Sequence, residues 1–169
     1  MLKRKYHRMN YYGKRARRLS LCIEVHTRLK VPDERQFMRW IFEAMQRDYQ
    51  YACIGLLLCD EQEACQYNLR YRHQDHATNV LSFPLENCQG RILTGDLIIC
   101  VPIVHKEAQE QKKIMQAHYA HLTIHGVLHL MGKDHLIEEQ AVAMEQEEVT
   151  ILARMGYTCL LYTSDAADE

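Results

Sequence analysis

Apolar and polar positions fall into blocks along this chain, and the period changes from block to block. LSLCIEV (19–25) has the short apolar run of a strand, and YACIGLLLCD (51–60) that of a buried one. NVLSFP (79–84), stopped by Pro84, and LTGDLIICV (93–101) supply two more strands, joined by a turn at ENCQGR (86–91). Elsewhere the apolar residues recur at helical spacing. Residues 33–49 predict a core-facing helix through Phe37, Trp40, Ile41 and Ala44, and residues 61–72 a second helix with Ala64 and Leu69 inward. Pro102 suits a first helical turn and opens a helix running to about Lys113. Two more helices are expected at about 117–131, ended by Gly132, and at about 136–155. Four strands alternating with five helices predict a mixed α/β fold: one small domain with a four-stranded mixed sheet packed by helices.

The length of 169 residues suits one such domain, at about 19–158, and affords a proper core. No apolar run approaches the ~20 residues of a membrane span, and no apolar signal region follows the basic N-terminus. The seven cysteines (22, 53, 59, 65, 88, 100 and 159) are odd in number and never spaced as C-x-x-C. That pattern argues against a disulfide framework and for reduced core thiols in a cytoplasmic protein.

Charge modifies the picture only at the ends. Residues 1–18 hold eight Lys/Arg and no acid, which leaves 13 of the 21 basic residues against all 22 acids. This basic extension, with Tyr6, Tyr11 and Tyr12 interleaved, suits contact with RNA phosphates and bases, and equally suits a solvated leader. The last eleven residues, CLLYTSDAADE (159–169), continue neither the strand nor the helix pattern. They read like a translated sequencing adapter, so a non-native tail is expected beyond about Thr158.

Candidate chemistry concentrates in one stretch, His125-Gly-Val-Leu-His129-Leu-Met-Gly132-Lys-Asp134-His135. Residues four apart share a helix face about 6 Å apart, so His125 and His129 can hold one metal ion. Gly132 can take the left-handed conformation that ends a helix and turns the chain back, bringing His135 to the same ion. Three imidazoles leave a fourth tetrahedral position open, as in catalytic zinc sites. The spacing follows the zincin pattern H-E-x-x-H-x-x-G-x-x-H, but Gly126 stands where the general-base glutamate belongs, which weakens a peptidase reading. His121, one turn before His125, is a candidate for a partner behind the ligands or an RNA contact. Asp134 is a candidate to orient a ligand imidazole. Glu138 and Glu139 suit the start of the last helix better than catalysis.

Four segments in this order, YRHQDHATNVLSFP (71–84), GDLIIC (95–100), HKEAQEQ (105–111) and HGVLHLMGKDH (125–135), carry a resemblance. Over about residues 20–157 the chain resembles the YbeY family of bacterial endoribonucleases. The resemblance implies a small mixed α/β fold and one zinc ion per chain, with His125, His129 and His135 as ligands and Arg72 as an arginine important for activity. It further implies single-strand-specific cleavage of RNA in maturation of the 16S rRNA 3′ end and in ribosome quality control. The partners so implied are single-stranded rRNA, the small ribosomal subunit and assembly factors, with neither DNA nor membrane. Lys133 departs from the family, which usually has tyrosine there.

An RNA phosphodiester in its transition state spreads negative charge over phosphorus oxygens, which the planar, permanently charged fork of Arg72 can hold. Arg72 could instead pair with Glu63. No general base is named: Asp134, His121 and water activated by the metal stay open. Two other classes compete, a zinc hydrolase of another substrate and a non-enzymatic zinc-containing ribosome-assembly factor that only binds RNA.

Overall fold

A computed structural model describes residues 18–45, 49–85, 92–133 and 136–157. Residues 1–17 of the basic extension, residues 46–48 of the expected first helix, the expected turn at 86–91, Asp134, His135 and the tail lie outside the described residues. In chain order the elements are β1 (Arg18–His26), α1 (Glu34–Ala44), β2 (Tyr51–Cys59), α2 (Glu61–Arg72) and β3 (Val80–Pro84), followed by β4 (Ile92–Cys100), α3 (Val101–Glu110), α4 (Met115–Leu130) and α5 (Glu138–Arg154). The four strands form one sheet in the order β1-β2-β4-β3. β2 runs parallel to both β1 and β4, while β3 is antiparallel to β4, with Leu81 opposite Ile98. The mixed α/β expectation, four strands and five helices, is what the chain forms.

Strand periodicity divides the core between the two faces of the sheet. On β2, Ile54, Leu56 and Leu58 point to the larger cluster, where Leu97 and Ile99 of β4 meet Phe37, Trp40 and Ile41 of α1. The alternate residues Leu57 and Cys59, with Ile98 and Cys100 of β4 and Leu81 of β3, face a smaller cluster under Ala64 of α2. Both faces are thus covered, which is why the central strands read as continuous apolar runs. No disulfide joins the described cysteines. Burial pushes the thiol of Cys59 up to about 12 and that of Cys100 to about 11, so both remain protonated parts of the core.

α1 begins with a capping box: Gln36 N donates to Asp33 Oδ1 at 2.9 Å, and Asp33 N to Gln36 Oε1 at 3.0 Å. It ends at Ala44 and not at Tyr49 as expected. Met45 caps it, residues 46–48 lie outside the described residues, and Tyr49 stands outside any helix two residues before β2 begins. α2 differs from expectation in its inward face. Asn68 is buried with Ala64, and Leu69 is 48% exposed. The face four residues on from Ala64 passes through Asn68, whose Nδ2 donates to His76 O at 2.7 Å and so offsets part of the cost of burying the amide. α3 opens at Pro102 as expected but stops at Glu110, and Lys112 takes a positive φ of 52°.

α4 is the central helix. It packs against α1, α3, α5, β3 and β4, and Tyr119, Ala120, Ile124, Val127 and Leu128 are fully buried. A helix touched on so many sides needs apolar residues all round, so its histidines mark the one face left for chemistry. Gly132, at φ 83°, ends it: Gly132 N donates to His129 O and Lys133 N to Leu128 O.

Candidate functional site

His121, His125 and His129 lie one turn apart along α4. The Nε2 atoms of His125 and His129 face each other at 3.0 Å, one donating to the other, with the rings nearly perpendicular. The Nδ1–H of His125 donates to Glu148 Oε1, and His121 Nε2 donates to Glu148 Oε2 at 2.8 Å. Glu148 is a carboxylate on α5, only 5% exposed, held by two imidazoles on the neighbouring helix. The other nitrogen of His121, Nδ1, is buried, and His121 is linked to His125 through their shared acceptor Glu148.

Across from the imidazoles stands Arg72, the last residue of α2. His73 follows in the left-handed conformation (φ 57°), which swings the chain out into the connection to β3. The guanidinium donates from Nη2 to Ser82 O at 3.0 Å and lies 5.8 Å over the Phe83 ring. The alternative partner Glu63 is engaged elsewhere, accepting from His26 Nδ1 at 3.0 Å. Between Arg72 and the two histidines opens a cleft of about 300 Å³, whose walls include Asn68, Asn79 and Ser82.

Gly126 explains how α4 comes so close to this cleft. A Cβ there would stand 2.9 Å from Leu97 Cδ2 and 3.3 Å from both Ser82 Oγ and Val80 Cγ2. Ser82 Oγ donates to Gly126 O at 3.0 Å, tying helix to strand. The residue that is glutamate in zincin peptidases is here a close helix–sheet contact, where even a Cβ would press on three side chains.

Asn79 forms the opposite lip. Its Oδ1 accepts from Val80 N at 2.7 Å, and its Nδ2 donates to Glu107 Oε2, which also accepts from the buried His118 Nε2 at 3.1 Å. A buried, hydrogen-bonded histidine is what the sequence favours at 118, and here it braces the cleft wall from behind.

Among the sequence candidates, the structure brings His125, His129 and Arg72 to one cleft and puts His121 behind them. His135 and Asp134 lie outside the described residues, and the described residues alone hold no cluster of three His, Cys, Asp or Glu fit for a metal. Glu148 was missed. Its signal was phase: it lies four residues after Met144 and three before Ile151, both buried, so an acid stands in the apolar stripe of α5. Glu138 and Glu139 fall in the first turn of that helix, as expected.

Burial alone would raise the pKa of Glu148, but the hydrogen bonds from His121 and His125 and their charge hold it down to about 2. Burial likewise opposes ionisation of Glu107, and hydrogen bonds from His118 and Asn79 win, lowering it. A carboxylate with a depressed folded pKa contributes stability that is complete above its unfolded value of 4.5 and is lost as pH falls through the folded one. The metal-free protein should therefore lose stability progressively below about pH 5, by about 3 kcal/mol from Glu148 alone as pH approaches 2. Urea midpoints measured from pH 6 to pH 3 check this; a midpoint that stayed constant would mean that neither carboxylate is paired in the folded chain.

The profile of the family described as Endoribonuclease YbeY matches residues 23–156. An Endoribonuclease YbeY of Neisseria gonorrhoeae is 51% identical over 133 residues, covering 75% of this chain and 78% of that protein. Its counterpart in Xanthomonas campestris is 47% identical over 135 residues, 76% and 84% of the two chains. That of Nitrosococcus oceani is 46% identical over 146 residues, 81% and 95%. A Thermotoga maritima protein solved in solution superposes with a TM-score of 0.57, covering 88% of this chain and 95% of its own, at 21% identity. That last likeness concerns the fold alone.

Proposed function

The chain belongs to the endoribonuclease YbeY family, and from that premise we propose that it cuts single-stranded RNA at a zinc ion held by His125, His129 and His135. Membership makes it a nuclease and RNA its substrate. We further assign it to maturation of the 16S rRNA 3′ end and to ribosome quality control in the cytoplasm, with the small subunit and its assembly factors as partners. No described helix is long and apolar enough to cross a membrane.

The observation that carries the metal reading is the arrangement on α4. Two imidazole nitrogens converge from residues four apart, and the far side of His125 is fixed by a buried carboxylate. Metal-ligating histidines almost always donate their second N–H to such an oxygen, which sets the tautomer and raises the basicity of the ligand nitrogen. The donor set therefore fits zinc. When bound, zinc supplies Lewis acidity toward a phosphoryl oxygen and lowers the pKa of water from 15.7 to about 7.

The rest falls to this chain's own groups. Arg72 faces the imidazoles across the cleft with one nitrogen occupied by Ser82 O, which leaves further donors of its fork for phosphate oxygens. Anchored by that bond and by the Phe83 ring, the guanidinium is held ready before RNA arrives. Glu148 accepts from His121 and His125 and, with metal bound, would orient His125. Asn79, braced by Glu107, fixes the backbone of β3 as the opposite wall.

The test is cleavage of end-labelled single-stranded RNA carrying a 16S 3′-end sequence, with zinc measured on every sample. Wild type should hold one zinc per chain and cut. His129→Ala should lose both, and Arg72→Glu should keep zinc while cleavage falls about 10²-fold or more. A protein that held zinc and left the RNA whole would instead be a binding or assembly factor. A 2′,3′-cyclic phosphate on the product would identify the RNA 2′-hydroxyl as nucleophile, and a 5′-phosphate would identify water.

A further inference from the structure

An aromatic track leads away from Arg72 along the outer face of α2. The Phe83 ring under the Arg72 guanidinium is 5.2 Å from the ring of Tyr71, and Tyr71 is 6.1 Å from Tyr67, nearly parallel at 13°. Tyr71 is 46% exposed. Phe83 and Tyr67 are half-buried, with one side packed on the smaller core cluster, which makes their rings rigid. A groove of about 270 Å³ runs beside them, lined by Glu63, Gln66, Tyr67, Arg70 and Tyr71. Arg70 rests 5.5 Å over the Tyr71 ring.

We propose that the exposed Tyr71 ring, backed by Phe83 and Tyr67, forms a stacking platform for an unpaired base of the substrate strand flanking the scissile phosphate, with Arg70 holding its backbone. This rests on the RNA reading above. Three features favour a nucleic-acid strand over any other occupant. The platform is continuous with the cleft through Phe83. The exposed Tyr71 ring suits stacking by any base without regard to sequence. The platform's cations sit among the rings, where a phosphate backbone following those bases would run. An exposed cation–π contact is weaker than a base stack, so a base can displace Arg70 from Tyr71 and send its guanidinium to a phosphate. The Glu63 carboxylate at the far end faces His26, which donates to it. A duplex keeps its bases stacked on one another and cannot use such rings, so the platform would also select for single strands.

The experiment compares cleavage of an eight-nucleotide RNA with the same RNA carrying abasic riboses, and with a dinucleotide too short to reach the platform. On the eight-mer, Tyr71→Ala should raise KM about tenfold with kcat within about twofold of wild type, and Tyr71→Phe should restore KM. Abasic substitution should raise the wild-type KM by a similar factor and leave Tyr71→Ala unchanged. The dinucleotide should be cut alike by both. If wild type cuts the abasic and intact eight-mers with equal KM, the platform is wrong while the nuclease stands, and that comparison needs no variant to fold. The platform fails in the same way if Tyr71→Ala, with a wild-type urea midpoint, keeps the wild-type KM. If wild type cuts no RNA at all, the nuclease reading itself fails and takes the platform with it.

Discussion

Gly126→Glu is expected to leave the chain largely unfolded and without peptidase activity, although it completes the H-E-x-x-H motif. The new Cβ would stand 2.9 Å from Leu97 Cδ2 and 3.3 Å from Ser82 Oγ and Val80 Cγ2, where α4 crosses β3 and β4. Overpacking of this kind costs about 1–3 kcal/mol before the rest of the side chain is placed. The carboxylate would then be driven between helix and sheet, where it must be buried charged or raise its pKa by several units to become neutral. Together these exceed about 4 kcal/mol, a large part of the roughly 5–15 kcal/mol that a domain has in total. Gly126→Ala separates the contributions. It meets the same three atoms but gains about 1 kcal/mol of helix propensity, so its net loss should be small. Urea denaturation of both variants, with a casein assay beside it, checks the pair. A stably folded Gly126→Glu protein that bound zinc and cut casein would show that the site is a peptidase lacking only its base.

Glu148→Ala should weaken zinc binding by about 10–100-fold and lower stability by about 1–3 kcal/mol. Glu148 is the shared acceptor of His121 and His125, and it is nearly inaccessible to water. Without it the His125 ring loses the bond that fixes its orientation, and two partly buried imidazoles lose their shared acceptor. Both rings retain some exposure, so water can take up part of the lost bonding, which keeps the stability loss moderate. Cleavage should therefore fall at limiting zinc and recover in excess zinc, whereas loss of a ligand should not recover. Glu148→Gln keeps the shape and one acceptor, and should lose less than about tenfold. Chelator competition gives the affinities; an alanine variant with wild-type zinc affinity would mean that the carboxylate has only a packing role.

Helical spacing turns sequence distance into spatial distance with no further information, which is why the sequence alone pairs His125 with His129. The same holds for the stop at Gly132, where a positive φ is required. Pro102 announced the start of α3, because a proline's effect on a first helical turn is local. Glu148 could not be paired with His125 in this way. The two are 23 residues apart on different helices, and in EQEEVT nothing but phase distinguishes the buried acid from its solvated neighbours. Asn68 was displaced by Leu69 for a related reason: hydropathy favours leucine inside, but the amide has a carbonyl waiting for it at His76. The end of α1 at Ala44 also escaped, since no glycine or proline stands there to mark it.

By itself, then, the sequence determined what local geometry can determine: four strands and five helices with most of their starts, a histidine pair on one helix face, and the glycine that ends that helix. Only the tertiary structure decided which acid stands behind those histidines, that Arg72 turns to Ser82 and not to Glu63, and why position 126 does not accommodate a glutamate. Each of the latter depends on contacts between segments far apart in the chain. Their partners are selected by how helix and sheet surfaces fit together, and no periodicity within one segment records that fit.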